Sequence, residues 1–586
     1  MCIRDREQLI GPQPLDIEFA LDLDNRVYLF QVRQITTHPN WEHSVAASVD
    51  EAIRHIQTFV HDRFRPIPGI RGPRSLFGQM PDWNPAEMIG RAPRPLASSL
   101  YRYLITDRAW RQARQQMGYA VPHGMPLMVS LGGQPFIDVR LSFHSYLPAD
   151  LPEDIGENLV NAWLDRLAEN PQLHDKVEFD VAITCLALDF TERMARLYPK
   201  VLSQEQFHIF HNCLRRITRK LIDGSVAPIA GELAKIEQLN TQRSHLLATK
   251  QHPDLATVSS LLEDCIELGT IPFSVLARHA FIAQSFLRTI VGNGILTQDD
   301  SMAFQRSVRT VVSELADETN SLLSGKMDRA EFMQHYGHLR PGTYDILSPR
   351  YDQREDLFDY ASAGAVHTHE DNHFSLTDKQ IEAINRLLSE EDLGINANTL
   401  FEYCSNAIAA REYAKFIFTR NISDALEAIA QWGEKRGLNR EELSYLDIRH
   451  ILETLARVDG ESTENHLRAL SQASCQQHKT TVALRLPQIV CIEEDVHIIP
   501  LRLDQPNFIT TKSIRGHCVR LHEYNQSPPS ITNNIVLIEK ADPGFDWIFA
   551  YGIKGLITKY GGSNSHMAIR CAEFGIPAAI GCGEQI

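Results

Sequence analysis

The hydrophobic positions of the chain follow three patterns. Short strand-like apolar runs occupy residues 1–40, helical stripes dominate residues 41–480, and short apolar runs separated by turn residues return over residues 485–586. Apolar residues three and four positions apart predict amphipathic helices, and short runs bounded by turn residues predict strands. The pattern predicts a multidomain α+β protein in which a largely α-helical central domain lies between two smaller domains.

The central helices are predicted from stripes of large apolar residues. The clearest stripes lie in residues 159–167, 261–266 and 446–455, and stripes of this kind are typical of core packing. Ser444 is predicted to cap the helix of the third stripe, and Gly460 to end it. Residues 459–481 are polar and poor in large apolar side chains, which predicts a linker to the last domain.

The last thirty residues predict a strand, a tight turn and a helix. Residues 555–558 form a short apolar run, Gly561 and Gly562 permit a tight turn, and a helical pattern runs from Ser565 towards Gly575. His566 then lies at the start of the helix, where backbone N–H groups and the helix dipole favour an anion. A histidine so placed is suited to carrying a phosphoryl group. The alternative is a histidine of the core or of a helix cap. A carrier needs a ring nitrogen that is not tied up and a route to solvent.

This segment resembles the phosphohistidine domain of the phosphoenolpyruvate-utilising phosphotransferases. The resemblance rests on motifs in that family's order and spacing: Ala541-Asp542-Pro543-Gly544, the strand and turn 555–562, Ser565-His566-x-Ala568-Ile569, and Glu573-Phe574-Gly575-Ile576-Pro577-Ala578. It implies that residues 485–586 form a β/α swivelling phosphohistidine domain. It also implies that His566 is the phosphorylated residue and that Gly561, Gly562 and Ser565 form its phosphate loop.

Composition narrows the class of protein. The chain has 586 residues, of which 43% are hydrophobic and 23% charged, and a formal net charge of −16. This length predicts several domains, and the acidic balance argues against general nucleic-acid binding. We find no signal peptide and no apolar run long enough for a membrane span, and the ten cysteines are scattered without zinc-type spacing. A cytoplasmic protein with reduced thiols and no membrane partner is expected, while its oligomeric state is not indicated.

Two strand-like runs, residues 16–22 and 27–33, predict a hairpin near the N-terminus. If the strands pair, Glu18 and Gln31 could offer oxygen ligands to Mg²⁺ on ATP phosphates, and Arg33 could meet a phosphate. A polar-edged hairpin without a metal is the alternative.

The hairpin is similar to the closing motif of the family's ATP-grasp nucleotide-binding domain. That resemblance implies ATP and Mg²⁺ as cofactors, Glu18 and Gln31 as metal ligands, and Arg33 as a nucleotide-binding residue. Gln34 departs from the motif, which usually has proline there. Residues 1–40 would then be the C-terminal remnant of such a domain, and the chain a fragment cut at both ends that cannot phosphorylate itself.

Four passages of the central region are less regular. Residues 82–90 predict a polar loop, residues 134–140 alternate like a strand, and residues 367–373 hold three histidines and two acids that we interpret as a solvated loop rather than a zinc site. The fourth, Gly337-His338-Leu339-Arg340-Pro341-Gly342, resembles a segment of rifampin-phosphotransferase-like proteins. There His338 could accept the proton of an acceptor hydroxyl and Arg340 could neutralise a phosphoryl group. The alternative is a purely structural turn.

The order of the three segments resembles the layout of rifampin phosphotransferases. It implies an ATP-dependent phosphotransferase that passes a phosphoryl group through His566 to a small-molecule acceptor held by the central domain, with AMP and phosphate leaving the first site. Two alternatives remain open. One is a phosphoenolpyruvate synthase-like enzyme that uses pyruvate and has a barrel beyond Ile586, and the other is an inactive scaffold relative.

Overall fold

The computed structural model describes most of the chain. The described residues are 15–21, 26–34, 43–122, 124–249, 254–355, 357–358, 374–456, 461–497, 506–521, 531–562, 565–583 and 586. The predicted loop of residues 367–373 therefore lies outside the described residues. Two compact units are distinguished, residues 1–54 and residues 55–586.

In the first unit, strands β1 (Leu15–Leu21) and β2 (Val27–Gln34) pair antiparallel, which confirms the predicted pairing of these runs. The register places Glu18 opposite Gln31 and Asp16 opposite Arg33, with a bulge after Glu18. The joining residues 22–25 and the side chains of Glu18, Gln31 and Arg33 lie outside the described parts.

The second unit is mostly helical, as predicted. The α-helices, with α1 extending across the boundary between the units, are α1 His43–Arg63, α2 Pro85–Ile89, α3 Pro95–Tyr101, α4 Ala109–Gln116, α5 Val139–His144, α6 Glu153–Glu169, α7 Phe190–Leu197, α8 Gln204–Ile222, α9 Ile229–Thr249, α10 Leu255–Asp264, α11 Ile271–Gly292, α12 Gln298–Ser307, α13 Val311–Leu323, α14 Arg329–Tyr336, α15 Asp378–Glu390, α16 Ala397–Glu434, α17 Arg440–Ser444, α18 Ile448–Glu453, α19 Glu461–Ala483 and α20 His566–Glu573. Short π-helical turns at Arg102–Thr106, Val177–Val181 and Cys265–Thr270 interrupt this series.

The central helix of the unit is α16, which has 38 residues and packs against α9, α10 and α11. Its first turn is capped by Asn396, whose side chain accepts a hydrogen bond from the backbone N–H of Thr399. The stripe of α6 is buried as predicted, and Trp163 packs edge-on against Phe143 with ring centroids 5.9 Å apart. The helical stretch Leu255–Gly292 is long and apolar enough to cross a membrane, but 78% of its apolar window is buried inside the protein. It packs as a core helix.

Two predictions about the end of the helical region are wrong. Ser444 ends α17, and the N-cap of α18 is Asp447, which accepts a hydrogen bond from the backbone N–H of Arg449. The predicted linker is largely the helix α19, in which Leu467 is buried. Most residues of this stretch are polar because only a narrow face of the helix packs against the rest of the protein.

The second unit contains two sheets. The first has the order β4 (Met128–Leu131), β5 (Gln134–Asp138), β3 (Phe77–Gly78) and β6 (Ile489–Val490), and its pairs are antiparallel. The second has the order β7 (Asn507–Ile509), β11 (Ala578–Ile580), β10 (Gly555–Tyr560), β9 (Ile535–Lys540) and β8 (Cys518–Arg520), and is parallel except at β7.

The second sheet with α20 matches the predicted small β/α arrangement of the C-terminal region. Not every short apolar run of residues 485–586 belongs to it, since Ile489–Val490 joins the first sheet opposite Phe77–Gly78 and Glu493–His497 forms a 3-10 helix. The nine cysteines among the described residues are free thiols, in agreement with the prediction.

The turn that follows α14 packs directly against the C-terminal sheet layer. Thr343 donates a hydrogen bond to the carboxylate of Asp542 over 3.1 Å, and the hydroxyl of Tyr351 donates to the carbonyl of Gly544 over 2.9 Å. A Cβ atom on Gly544 would lie 1.8 Å from the carbonyl oxygen of Arg340. Glycine is therefore required at position 544 for the two backbones to approach this closely.

We expect Gly544→Ala to weaken this contact because backbone atoms cannot move away as a flexible side chain could. The predicted cost is about 1–3 kcal/mol of unfolding free energy, the usual range for overpacking, together with faster amide exchange around residues 340–344. Gly292→Ala is the matched control, since its Cβ would meet nothing within 4 Å. Equal stability and exchange in both variants would contradict the packing described here.

Candidate functional site around His566

The backbone around His566 is set by one glycine and one helix cap. After β10, Gly561 has φ +142°, and a Cβ there would lie 2.9 Å from Ala541 and 3.0 Å from Ile580. Ser565 caps α20, since its hydroxyl accepts a hydrogen bond from the backbone N–H of Ala568. The predicted strand, turn and helix are thus confirmed, with His566 as the first residue of the helix and residues 563–564 outside the described chain.

Both ring nitrogens of His566 contact carboxylates. Nε2 lies 2.9 and 2.8 Å from the two oxygens of Asp546, and Nδ1 lies 3.4 Å from Oε2 of Glu412. The residue is only 5% exposed. The expectation of a ring nitrogen that is not tied up is therefore wrong for this arrangement. Asp546 belongs to the C-terminal segment, whereas Glu412 lies on helix α16, so one of the two contacts exists only while these parts are packed together.

The two carboxylates determine the charge of the imidazole. Burial alone would lower the pKa of His566, but the charge of Asp546 and the hydrogen bonds to Asp546 and Glu412 outweigh burial and raise it to about 9. Burial likewise opposes ionisation of Glu412, yet the contact with His566 and the charge of Arg411 lower its pKa to about 2. At neutral pH the site is an imidazolium between two carboxylates.

Asp546 is held in place by a second cation. Nε of Arg570 donates to Asp546 over 3.2 Å, and Nη1 of Arg570 donates to Glu573 over the same distance. The guanidinium also lies over the ring of Phe574, 4.3 Å from its centroid. The pKa of Asp546 is lowered because the charges of His566 and Arg570 outweigh its burial. The ion pair of His566 with Asp546 is therefore built into the C-terminal segment.

His566 also lines a large cavity between the C-terminal segment and the helices. The cavity has about 990 Å³ of empty space, part of it open to solvent. Its polar walls include Asp82, Asn84, Glu87, Arg114, Glu178, Arg278, Arg411, Lys415, Gly562 and Ser565, and its apolar walls include Trp83, Phe273, Phe281 and Phe418. Ring burial thus does not separate His566 from space that a ligand can occupy.

Glu87 connects this cavity to the glycine turn. Its carboxylate accepts hydrogen bonds from the backbone N–H of Gly562 and, over 3.3 Å, from the side chain of Asn84. Burial raises the pKa of Glu87, although the charges of Lys415 and Arg411 act against this. Glu87 can therefore take up a proton beside the glycine turn.

His338 and Arg340 line a second, smaller cavity together with His566. Arg340 is 2% exposed, and its guanidinium donates to Ser423, to the carbonyls of Asp345 and Ser348, and to Glu427. Burial, reinforced by nearby arginines, holds the pKa of His338 well below its ordinary value, so this ring is neutral. The contacts of Arg340 are those expected of a residue that fixes the turn.

Sequence reasoning missed the two carboxylates that contact His566. Asp546 lies two residues beyond the Ala541–Gly544 motif, and nothing in the sequence distinguished it from other acidic residues. Glu412 offered a weak signal, since it is a charged residue among the mostly apolar buried residues of α16. Charged residues are rarely buried unless paired. Glu87 lies in the loop passage that the sequence singled out, where a short helix, α2, is found.

The residues expected to bind Mg²⁺ and ATP lie on β1 and β2 of the first unit. The register of β1 and β2 places Glu18 opposite Gln31, and their side chains are not described. Among the described residues there is no group of three or more histidine, cysteine or acidic side chains arranged to hold a metal ion.

Comparison with known proteins supports the assignment of the C-terminal segment. Residues 531–586 match the family described as PEP-utilising enzyme, mobile domain. The match includes β9, β10, β11, α20 and His566. A comparison with curated proteins gives no match. The family match indicates phosphohistidine-type phosphotransfer chemistry for this segment.

The raised pKa of His566 predicts a pH-dependent stability. A group whose pKa rises on folding stabilises the folded state below its unfolded value of about 6.5, and this contribution disappears as the pH rises through about 9. We expect the free energy of unfolding to fall by about 3 kcal/mol between pH 6.5 and 9.5, measured by urea denaturation. His566→Gln should lose this dependence, and His517→Gln, at an exposed position, should keep it. An unchanged pH profile in His566→Gln would contradict the ion pairing.

Proposed function

We propose that the protein is a phosphotransferase in which His566 receives a phosphoryl group from ATP and passes it to a small-molecule acceptor bound in the large cavity. The observation that carries the proposal is the position of His566. It belongs to the segment that matches the PEP-utilising mobile domain, and it lines a cavity walled by helices of another part of the chain. A residue that carries a phosphoryl group must reach the site that binds the acceptor, and His566 does so as part of the wall of this cavity.

The protonation state of the site supports a two-step transfer. The imidazolium seen here has no lone pair for attack on a phosphoryl donor. When the C-terminal segment leaves α16, Glu412 stays behind and Asp546 remains with the ring. Loss of one carboxylate lowers the pKa of the imidazole and increases its neutral, nucleophilic fraction. The packed arrangement thus corresponds to the discharged carrier, and the separated one to the carrier that is ready to be phosphorylated.

In the transfer step the acceptor hydroxyl attacks the phosphorus atom, a P–O bond forms and the P–N bond breaks. The imidazole nitrogen keeps the electron pair of the broken bond, and the hydroxyl proton passes to a carboxylate of the cavity wall. Glu87 is suited to this role because its raised pKa favours proton uptake. Arg411 and Lys415, four residues apart on α16, line the same cavity and would neutralise the phosphoryl oxygens.

The larger cavity is our choice for the acceptor, in preference to the smaller one beside His338 and Arg340. Arg340 already donates to four groups of its own surroundings, which leaves little of it to bind a phosphoryl group. These two residues are better suited to hold the turn against Asp542 and Gly544.

ATP and Mg²⁺ enter the proposal through the resemblance of the N-terminal hairpin. The pairing of Glu18 with Gln31 places two oxygen-bearing residue types opposite each other, as a cation site would need. Bound there, Mg²⁺ would neutralise charge on the nucleotide phosphates. Arg33 would add a guanidinium for a phosphate oxygen.

The direct test is to incubate the natural full-length protein with ATP and Mg²⁺ and to measure acid-labile, alkali-stable phosphate together with AMP formation. We expect label on His566, found by mass spectrometry of the peptide that contains it. His566→Ala should lose the label and His517→Ala should keep it. A protein that is never labelled, or one labelled equally in His566→Ala, would overturn the proposal and favour a scaffold role.

A second prediction concerns the contact with Glu412. With phosphoramidate as a chemical donor, we expect labelling of His566 to rise with pH towards about 9 in the wild type, because only the neutral ring reacts. Glu412→Gln removes one of the two carboxylates, so its profile should shift to lower pH. Glu402→Gln, exposed on the same helix, is the matched control. Superimposable profiles for the three proteins would show that Glu412 does not set the reactivity of the ring.

A further inference from the structure

From the donors, the charges and the rings that line the large cavity, we propose that its ligand is an aromatic hydroxy acid, whose carboxylate is bound by Arg278 and whose ring lies among the aromatic side chains. This inference rests on the proposed function only in naming the ligand as the phosphoryl acceptor. The binding of such a compound can be measured without any phosphoryl transfer.

The buried polar atoms left without partners in this cavity are hydrogen-bond donors. They include Nε1 of Trp83, Nη1 of Arg114, Nε of Arg278 and the hydroxyl of Tyr344, and these four residues line the cavity. A buried donor without a partner costs about 1–3 kcal/mol. Only a hydroxyl among the four can also accept a hydrogen bond. The cavity is therefore matched to a ligand rich in acceptor oxygens.

Arg278 is the residue best placed to bind a carboxylate. It is 3% exposed, and its one hydrogen bond to the described residues runs from Nη1 to the hydroxyl of Thr184 over 3.2 Å. No carboxylate among these residues lies within ion-pair distance of it. The Nε and Nη2 groups share one edge of the guanidinium, and this two-donor edge fits a carboxylate in a bidentate pair. Position 278 thus holds a buried cation without a countercharge in direct contact.

The acids of the same cavity do not supply that countercharge. Asp82 is paired with Arg114 over 2.9 Å. Glu178 accepts a hydrogen bond from the hydroxyl of Tyr146, and it lies beyond ion-pair distance of Arg278. Burial together with the charge of Asp82 raises its pKa to about 7, although the charge of Arg278 acts against this. Asp175, a further acid of the wall, is paired with Lys176 over 2.8 Å, and burial opposes ionisation of Glu87. Arg411 and Lys415 add two further cations to the same wall. A cationic ligand would be repelled, and an anion would be attracted.

The apolar walls account for the aromatic part of the ligand. Phe273 packs against Trp83 and Phe418, with ring centroids 6.0 and 4.9 Å apart, and Phe281 lies beside the guanidinium of Arg278, whose Cζ is 5.3 Å from the ring centroid. A planar ring can stack or pack edge-on among such side chains. An aliphatic hydroxy acid would gain the ion pair but leave these rings uncovered.

The experiment measures the affinity of the protein for three probes of similar size by titration calorimetry. These are 4-hydroxybenzoate, its neutral methyl ester and the cation tyramine. We expect 4-hydroxybenzoate to bind about tenfold tighter than the ester, which is the scale of one charge-assisted bidentate contact, and tyramine to bind weakest. Equal or reversed affinities, or no binding of any probe at millimolar concentration, would overturn the inference.

Variants of Arg278 identify the source of the preference. Arg278→Gln should remove the advantage of the acid over its ester, while Arg278→Lys, which keeps the charge but not the two-donor edge, should retain part of it. Arg215→Gln, which removes a partly exposed arginine paired with Asp392 on the surface, is the control and should change nothing. If the melting curve shows that Arg278→Gln does not fold, the order of the three affinities in the wild type still tests the inference.

This test is separable from that of the proposed function. A protein that prefers 4-hydroxybenzoate but is never labelled on His566 would keep the ligand class and lose the phosphotransfer. A protein labelled on His566 without any preference for the acid would keep the phosphotransfer and lose the ligand class.

Discussion

Two carboxylates from distant parts of the chain hold the imidazole of His566 as a cation, and the function proposed here depends on that ion-paired triad. Asp546 moves with the ring, since both belong to the C-terminal segment and Arg570 fixes the carboxylate. Glu412 belongs to α16, the central helix of the other part. The contact between the two parts therefore affects the charge of the imidazole, because the pKa of the ring depends on whether Glu412 is beside it. A change in the packing of the C-terminal segment against α16 would change the protonation of His566.

The same arrangement explains why a buried histidine is compatible with a carrier role. A buried ring without an ionised partner is neutral, with a pKa lowered by desolvation. His279 is an example: its ring contacts the hydroxyl of Tyr403 and the carbonyl of Ala227, and its pKa falls to about 4. His566 is equally buried but charged, and it borders empty space that polar residues line. A buried charge is costly unless its partners stay in place. Because the triad joins two parts of the chain, loss of the positive charge on His566 would weaken the contact between the C-terminal segment and α16.

Local sequence signals were sufficient for the strand, turn and helix around His566 and insufficient for the contacts that these elements make with the rest of the chain. Gly561, Ser565 and Gly575 each carry a backbone or capping requirement that is visible in the sequence, and the predicted strand, turn and helix are found there. Glu412 contacts His566 across 154 residues of sequence, and no local pattern encodes such a pairing. For the same reason no local pattern indicates that Ile489–Val490 pairs with Phe77–Gly78, far earlier in the chain, rather than with the C-terminal sheet. Helix α19 was not predicted because a helix that buries only a narrow face contains few large apolar residues, as a linker does.

The cavity shows how far the chemistry of a site can be inferred before its ligand is known. Asp82 and Arg114 neutralise each other, so neither selects a charged ligand strongly. Arg278 has no such partner among the described residues, and the energy of a buried guanidinium makes an anionic ligand the natural complement. Glu87, which contacts Gly562, and Arg278 line the same cavity. One can receive a proton and the other can bind a negative charge, so a single bound molecule that carries a hydroxyl and a carboxylate can use both. This pairing of functional groups is argued from the walls of the cavity alone, and it does not depend on the proposed phosphorylation of His566.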